Sequence, residues 1–379
     1  MSTEKRVIQG LLLLLFGWCA LYATALHSSA YDSKGVPRNQ EDSFRIVGED
    51  LAGDYAAFRL LEEKSDRAYD PERQSAYIAE QTGVKRFFSS VGSPVASFLF
   101  VPFLQMSYPQ FYESLLQSGI FFFSVAMYSI FPLIGAILLT AALPAIYLNA
   151  SFGTFGLFVA SSAVLLFALA ENRPKTAGLL GAVTTFCPVL FLSAAAVLFF
   201  RRRKKALFSL LTTGGLLLFA ACSRYGVAVF GDVLKNASLT LKEIPCRFQS
   251  VVGLSACSGG NFAFSVVFQA IIAALVIYGA VVLFRRRIVS EDVQNAYVCA
   301  AFLFVTPFAE FGDYALFAAA AAFLLRDCEK RGYGKPEVLF FLLTGAGILL
   351  NPVAGTLTGA PLFFFLNGAA LLICMRRSV

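Results

Sequence analysis

The sequence predicts an all-α polytopic membrane protein with about twelve transmembrane segments, within a range of roughly 10 to 13. Three observations carry that expectation: 58% of the 379 residues are apolar, only 15% are charged, and the charges fall in short blocks between long apolar runs. With a mean hydropathy of +0.69, the chain has too much Leu, Phe and Ala to hide inside a water-soluble fold of this size. Disorder, a coiled coil and a nucleic-acid-binding domain are excluded on the same ground. At 1.5 Å per residue, a crossing needs roughly 20 apolar residues, so the length suffices for about a dozen helices with short joins.

The formal charge of +7 and a pI near 9.0 would suit a nucleic-acid partner. Because the basic residues sit beside apolar runs, they read instead as topology signals or contacts to anionic lipid. The eight cysteines show no CxxC spacing, and His27 is the sole histidine. That composition argues against a structural zinc cluster and against a serine hydrolase built on His27. No cofactor is expected, and a divalent-metal requirement is left open.

The first span runs from about Ile8 to Leu26, after the basic pair Lys5-Arg6; its length and the many following spans favour an anchor over a cleaved signal. Residues 27–109 form the first extracytoplasmic loop, expected to carry amphipathic helices on the membrane surface. The next spans are Tyr112 to Phe131, Pro132 to Tyr147 and Phe152 to Ala170.

Charge decides the threading from there. A single crossing over Thr176 to Phe200 would put Arg173 and Lys175 opposite the cluster Arg201 to Lys205, whereas short positive loops belong on the cytoplasmic side. A break at Thr184 to Pro188 makes two short helices and returns both clusters to one side, since proline is tolerated at a helix start. The same conflict between Arg285-Arg286-Arg287 and Arg326 to Lys335 is resolved by a break at Thr306 to Asp313. Spans at Ala206 to Ser223, Phe262 to Phe284, Pro336 to Leu350 and Thr356 to Met375 complete one membrane domain over residues 1–379, with both termini cytoplasmic. Residues 224–261 become a second extracytoplasmic loop. It contains Cys246 and Cys257, which either form a disulfide or stay as thiols.

Asp50 and Asp54 are four residues apart and would share one face of a helix. They either converge on a cleft or act as a surface charge and a helix cap, Asp54 following Gly53. The apolar stretch Val95 to Val101, between Pro94 and Pro102, is too short to cross and reads as a dipping or interfacial helix, or as a helix lead-in. Glu310 and Asp313 lie in the second break, where carboxylates are costly unless solvated or paired, so they either mark a site or a tip that reaches water. Arg59, Arg224 and Arg247 are the outward cations able to meet an anionic group, or to contact lipid phosphates.

The order of these features resembles the integral-membrane C superfamily of glycosyltransferases. Its closest branch is the bacterial and mycobacterial polyprenyl-phosphate-mannose-dependent alpha-mannosyltransferase-like proteins. Gly53-Asp54-Tyr55-Ala56-Ala57-Phe58 is similar to the family's aspartate-centred motif in the first outer loop. Ser93-Pro94 to Val101-Pro102, with Phe87-Phe88 before it, resembles the proline-bracketed segment. Asn149 to Gly153 resembles the small-residue turn, and Ala177 to Gly181 through Pro188 and Arg201 to Lys205 resembles the inner-loop block. The family's lysine before the proline is missing at Thr184-Thr185-Phe186-Cys187, and Thr306-Pro307-Phe308 is followed by Glu310 and Asp313 where the family has histidine.

The resemblance implies a C-type glycosyltransferase fold in a bacterial inner membrane. It also implies transfer of mannose or another sugar from a polyprenyl-phosphate-sugar donor to an outward glycan or glycolipid hydroxyl, by inverting displacement with Asp54 as base. Membrane lipids are expected partners and nucleic acid is not. A transporter or flippase of a lipid-linked anion, and a non-catalytic scaffold descended from such enzymes, are the alternatives.

Overall fold

In the computed structural model, residues 48–378 are described except 86, 133–134, 136–139, 141–142, 144–145, 147–148, 150–151, 244–247, 249, 287–288 and 351–358. The expected first span, most of the Pro132 to Tyr147 span, Cys246 and Arg247 lie outside the described residues. Among the described residues the chain is entirely helical, with 15 α-helices and no strand.

Four helices belong to the first hydrophilic segment and its exit: α1 (Glu49–Glu62), α2 (Pro71–Thr82), α3 (Pro94–Phe100) and α4 (Tyr108–Tyr128). Asp70 caps α2 by accepting from the Glu72 amide at 2.9 Å, and Pro71 supplies a first-turn residue that needs no amide partner. The α3 helix has seven residues and runs into a 3-10 turn, Val101–Phe103, so this proline-bracketed stretch is a short inserted piece rather than a crossing. Phe100 seats it against Phe155, Phe158 and Phe186 with ring centroids 4.9, 5.2 and 6.1 Å away.

Both expected breaks are present. The α5 helix (Gly156–Leu169) is followed by α6 (Pro174–Gly181), a 3-10 turn (Ala182–Phe186) and α7 (Pro188–Phe200). Chain reversal between them is fixed by contacts at the far end: Arg203 pairs with Glu171 at 3.2 Å, and Ser209 donates to the Lys175 carbonyl at 2.8 Å. After α8 (Lys204–Tyr225), α9 (Ala228–Glu243), α10 (Val251–Cys257) and α11 (Phe262–Arg285), the second broken pair follows as α12 (Glu291–Val305), the 3-10 turn Phe311–Tyr314 and α13 (Ala315–Arg331). Ser290 and Asp327 meet at 2.5 Å, so the start of α12 and the end of α13 also lie together. The last helices are α14 (Lys335–Leu350) and α15 (Gly359–Arg376).

The core lies along α5, α12 and α13. Ala318 to Ala322 are all buried, and these small side chains let α13 pack closely against α12 and α5. The α8 and α11 helices, of 22 and 24 residues, are long and apolar enough to cross a membrane. They keep Phe208, Phe219, Phe264 and Leu275 exposed by 60% or more. An apolar face on that scale needs a non-aqueous neighbour.

The two ends of the bundle differ in charge chemistry. At one end Arg201 bonds Gln294, Arg203 pairs with Glu291, Arg326 and Lys330 pair with Asp292, and Arg331 and Arg377 converge on Asp327. The clusters Arg201 to Lys205 and Arg326 to Lys335, both assigned to the inner side, meet in this one layer. At 1.5 Å per residue α8 is about 33 Å long. It leads from that layer to Arg224, which forms a two-pronged contact with Glu62 of α1 at 2.5 and 3.0 Å.

Candidate functional site

Asp50 and Asp54 lie one turn apart on α1, and both are buried. The helix begins at Glu49, after Gly48 in a left-handed conformation, so Asp54 is an interior residue and not a cap. Gly53 does not start the helix either. A Cβ there would sit 2.7 Å from the Ser89 carbonyl oxygen, so the glycine permits a close approach of backbone to backbone.

What approaches is a strap, residues 89–92. Ser90 Oγ donates to Asp54 Oδ1 at 2.6 Å and the Gly92 amide donates to the same oxygen at 3.0 Å. Gly92 is required by space, because a Cβ would lie 2.5 Å from that oxygen. The strap is itself held from three helices or their joins. From α2, Gln74 accepts from the Ser90 amide at 2.8 Å. Tyr69 donates to the Gly92 carbonyl at 2.9 Å from the α1–α2 join. From α9, Asn236 donates to the Ser90 carbonyl at 2.7 Å and to Ser89 Oγ at 3.0 Å, while Thr240 Oγ1 lies 2.5 Å from Ser89 Oγ.

The second break supplies the facing wall. Glu310 and Asp313 cap one another across the 3-10 turn, with the Glu310 amide donating to Asp313 Oδ2 at 2.9 Å. Enclosure by the surrounding protein pushes the Asp313 carboxyl up to about 6. The Glu310 amide opposes that shift and the negative charge of Asp54 adds to it. Asp54 and Asp313 are therefore close enough to act on each other electrostatically. Asp313 is enclosed by protein on most sides and keeps some accessible surface. The Cys187 thiol, at the first break, also faces Asp313 and Glu310. Asn149 ties the wall to the turn ahead of α5 by donating to the Gly312 carbonyl at 2.9 Å and to Thr154 Oγ1 at 3.0 Å. Gly153, at φ 68°, brings that turn against Gly48 at the start of α1.

The structure thus gathers Asp54, Glu310, Asp313 and both breaks at the end of the bundle away from the cation layer, with Asp50 one turn from Asp54. Of the expected phosphate-binding arginines, Arg247 lies outside the described residues, and Arg59 and Arg224 are engaged by other groups. Arg59 donates to Tyr77 at 2.9 Å and to the Leu104 carbonyl at 2.6 Å. Arg224 is engaged by Glu62, whose carboxyl it holds below the usual carboxylate range. Cys257 is in a disulfide. Among the described residues no group of His, Cys, Asp and Glu could hold a metal ion.

Sequence reasoning did not single out Ser90, Gly92, Tyr69, Gln74 or Asn236. The available signal was the small, uncharged run Ser89-Ser90-Val91-Gly92 before Ser93-Pro94, which is unusual between two helices and fits a strap. Asn236 gave no signal, since an asparagine in an amphipathic helix looks like any solvated polar residue. No protein-family model, curated protein or solved structure matches the chain.

Proposed function

We propose that the chain is a multi-pass glycosyltransferase of the bacterial plasma membrane, with about twelve spans in a C-type fold, both termini cytoplasmic, and the Asp54 end facing outward. It uses a polyprenyl-phosphate-sugar donor and transfers the sugar to a glycan or glycolipid hydroxyl. The observation that carries the proposal is the Asp54 carboxylate, buried and held by Ser90 and Gly92 within electrostatic reach of Asp313.

In the reaction the acceptor hydroxyl attacks the anomeric carbon from the face opposite the phosphate. The new carbon–oxygen bond forms as the bond to the phosphate oxygen breaks, the phosphate leaves with that electron pair, and Asp54 takes the hydroxyl proton. A carboxylate of ordinary pKa near 4 is a weak base in water, so fixed geometry must supply much of the rate. The two hydrogen bonds to Oδ1 provide that fixed geometry. The leaving phosphate needs cationic or amide stabilisation. Arg224 spends its Nε and one Nη2 donor on Glu62, so it can serve through its remaining donors or by exchanging Glu62 for the phosphate.

The test incubates purified protein in lipid nanodiscs with a panel of polyprenyl-phosphate sugars and reads hydrolysis or transfer by mass spectrometry. A donor-dependent product is expected, and Asp54→Asn should reduce turnover by about 10²-fold or more with little change in donor binding. Transfer by Asp54→Asn at the normal rate would overturn the assignment of the base. A second reading, a non-catalytic scaffold of the same descent, is favoured by Thr184 to Cys187, where the resembling family has lysine, and by the engagement of Arg59 and Arg224 elsewhere. It is distinguished by the absence of product with every donor. Coupled uptake of a lipid-linked anion without bond transfer would instead support a transporter.

A further inference from the structure

The strap that holds Asp54 is gripped by the second outward segment: Thr240 meets Ser89, and Asn236 alone reaches two strap residues. Asn236 is 3% exposed and donates to the Ser90 carbonyl and to Ser89 Oγ. Ser90 in turn donates to Asp54 Oδ1. The chain of contacts is therefore α9 to strap to α1, spanning 182 positions of sequence in two hydrogen-bonded steps.

We propose that Asn236 is a positioning residue for Asp54, so that the seating of the segment 224–261 sets the orientation and the proton affinity of the carboxylate. The inference rests on the assignment of Asp54 as the base.

Three features support this role over simple packing. First, the buried face of α9 presents Asn236 and Thr240, alongside Ala237 and Leu241, so polar side chains are spent on the strap where apolar ones would bury more cheaply. Second, the peptide units on both sides of Ser90 are tied, the one before it through its amide on Gln74 and the one after it through its carbonyl on Asn236, which leaves the Ser90 backbone little freedom. Third, its hydroxyl and the Gly92 amide converge on one Asp54 oxygen, and hydrogen bonds to the charged form lower a carboxyl pKa. Tyr69 and Asp313 interact electrostatically with Asp54, and Asp50 lies one turn away on α1. None of the three is on α9, so a change at Asn236 reaches Asp54 through the strap and not through a new or lost charge.

The experiment is an infrared titration of the full-length protein in nanodiscs, with the Asp54 carboxyl band identified as the one that Asp54→Asn removes. Ser90→Ala removes the direct bond and should move the midpoint of that band upward by about one unit. Asn236→Ala should move it in the same direction by a smaller amount. With the donor found by the panel, it should also lower turnover several-fold at neutral pH while leaving the donor KM unchanged. Asn236→Ser serves if the alanine variant does not fold, and Leu234→Ala, on the exposed side of the same helix, is the control expected to change neither quantity. An Asp54 midpoint unmoved in a folded Asn236 variant, with Ser90→Ala shifted, overturns the inference even if Asp54 is the base. Normal transfer by Asp54→Asn overturns the base assignment and leaves the midpoint comparison readable.

Discussion

Two carboxylates of the site sit in unlike surroundings. Asp54 takes two donors on one oxygen, while Asp313 is raised to about 6 by enclosure and by the charge of Asp54. A raised acid has a stability consequence with a definite sign. Between about pH 4 and pH 6 the folded chain keeps the Asp313 proton that the unfolded chain has lost, so stability falls as pH rises through that window and is flat above it. Asp313→Asn removes the charge that is costly at neutral pH. Its denaturation midpoint in detergent should exceed the parent's at pH 7 by an amount equivalent to at most about 3 kcal/mol, reduced because the side chain keeps some solvent contact. The advantage should vanish near pH 4. An equal effect at both pH values would show that Asp313 is not the titrating group.

At the scale of elements, the two broken helical pairs were legible from sequence because each left a charge conflict that only a reversal resolves. Arg203 on Glu171 and Ser290 on Asp327 are those reversals seen as contacts. The start of α1 was less legible. Gly53 before Asp54 looks like a helix boundary, and nothing local tells that its missing Cβ makes room for a strap 36 residues later. Nor could uncharged Ser90, Gly92 and Asn236 stand out, since their roles arise only when three distant segments meet. The cation layer sorts into strong and weak ties by burial. Asp327 has only 1% of its side chain exposed and holds both Arg331 and Arg377, whereas Arg203 is partly exposed and its partners Glu171 and Glu291 are more than half exposed. Asp327→Ala leaves two arginines facing an empty acceptor and should cost about 3 to 5 kcal/mol. Arg203→Ala should cost at most about 1 kcal/mol. Thermal midpoints of the two variants test the ranking, and a larger loss for Arg203→Ala would reverse it.

For the whole molecule, the cation layer and the acid site are separated along the axis of α8, whose length of about 33 Å matches the roughly 30 Å of a hydrocarbon core. If the apolar surface of α8 and α11 meets lipid, the two layers must emerge on opposite sides, and the rule that short basic segments stay cytoplasmic then orients the site outward. Single cysteines at Lys205, beside the cation layer, and at Asp232, on α9 near the acid site, give a direct measurement. The background would replace Cys187 and Cys222 by serine, the partly exposed free thiols among the described residues. In right-side-out vesicles an impermeant maleimide should label Asp232→Cys and leave Lys205→Cys untouched until the membrane is opened; inverted vesicles should give the converse. Labelling of both from one side would mean that α8 does not cross. Labelling of Lys205→Cys alone from outside would turn the site toward the cytoplasm. A donor presented on the outer leaflet could not then reach Asp54, so the topology measurement bears on the chemistry before any substrate is known.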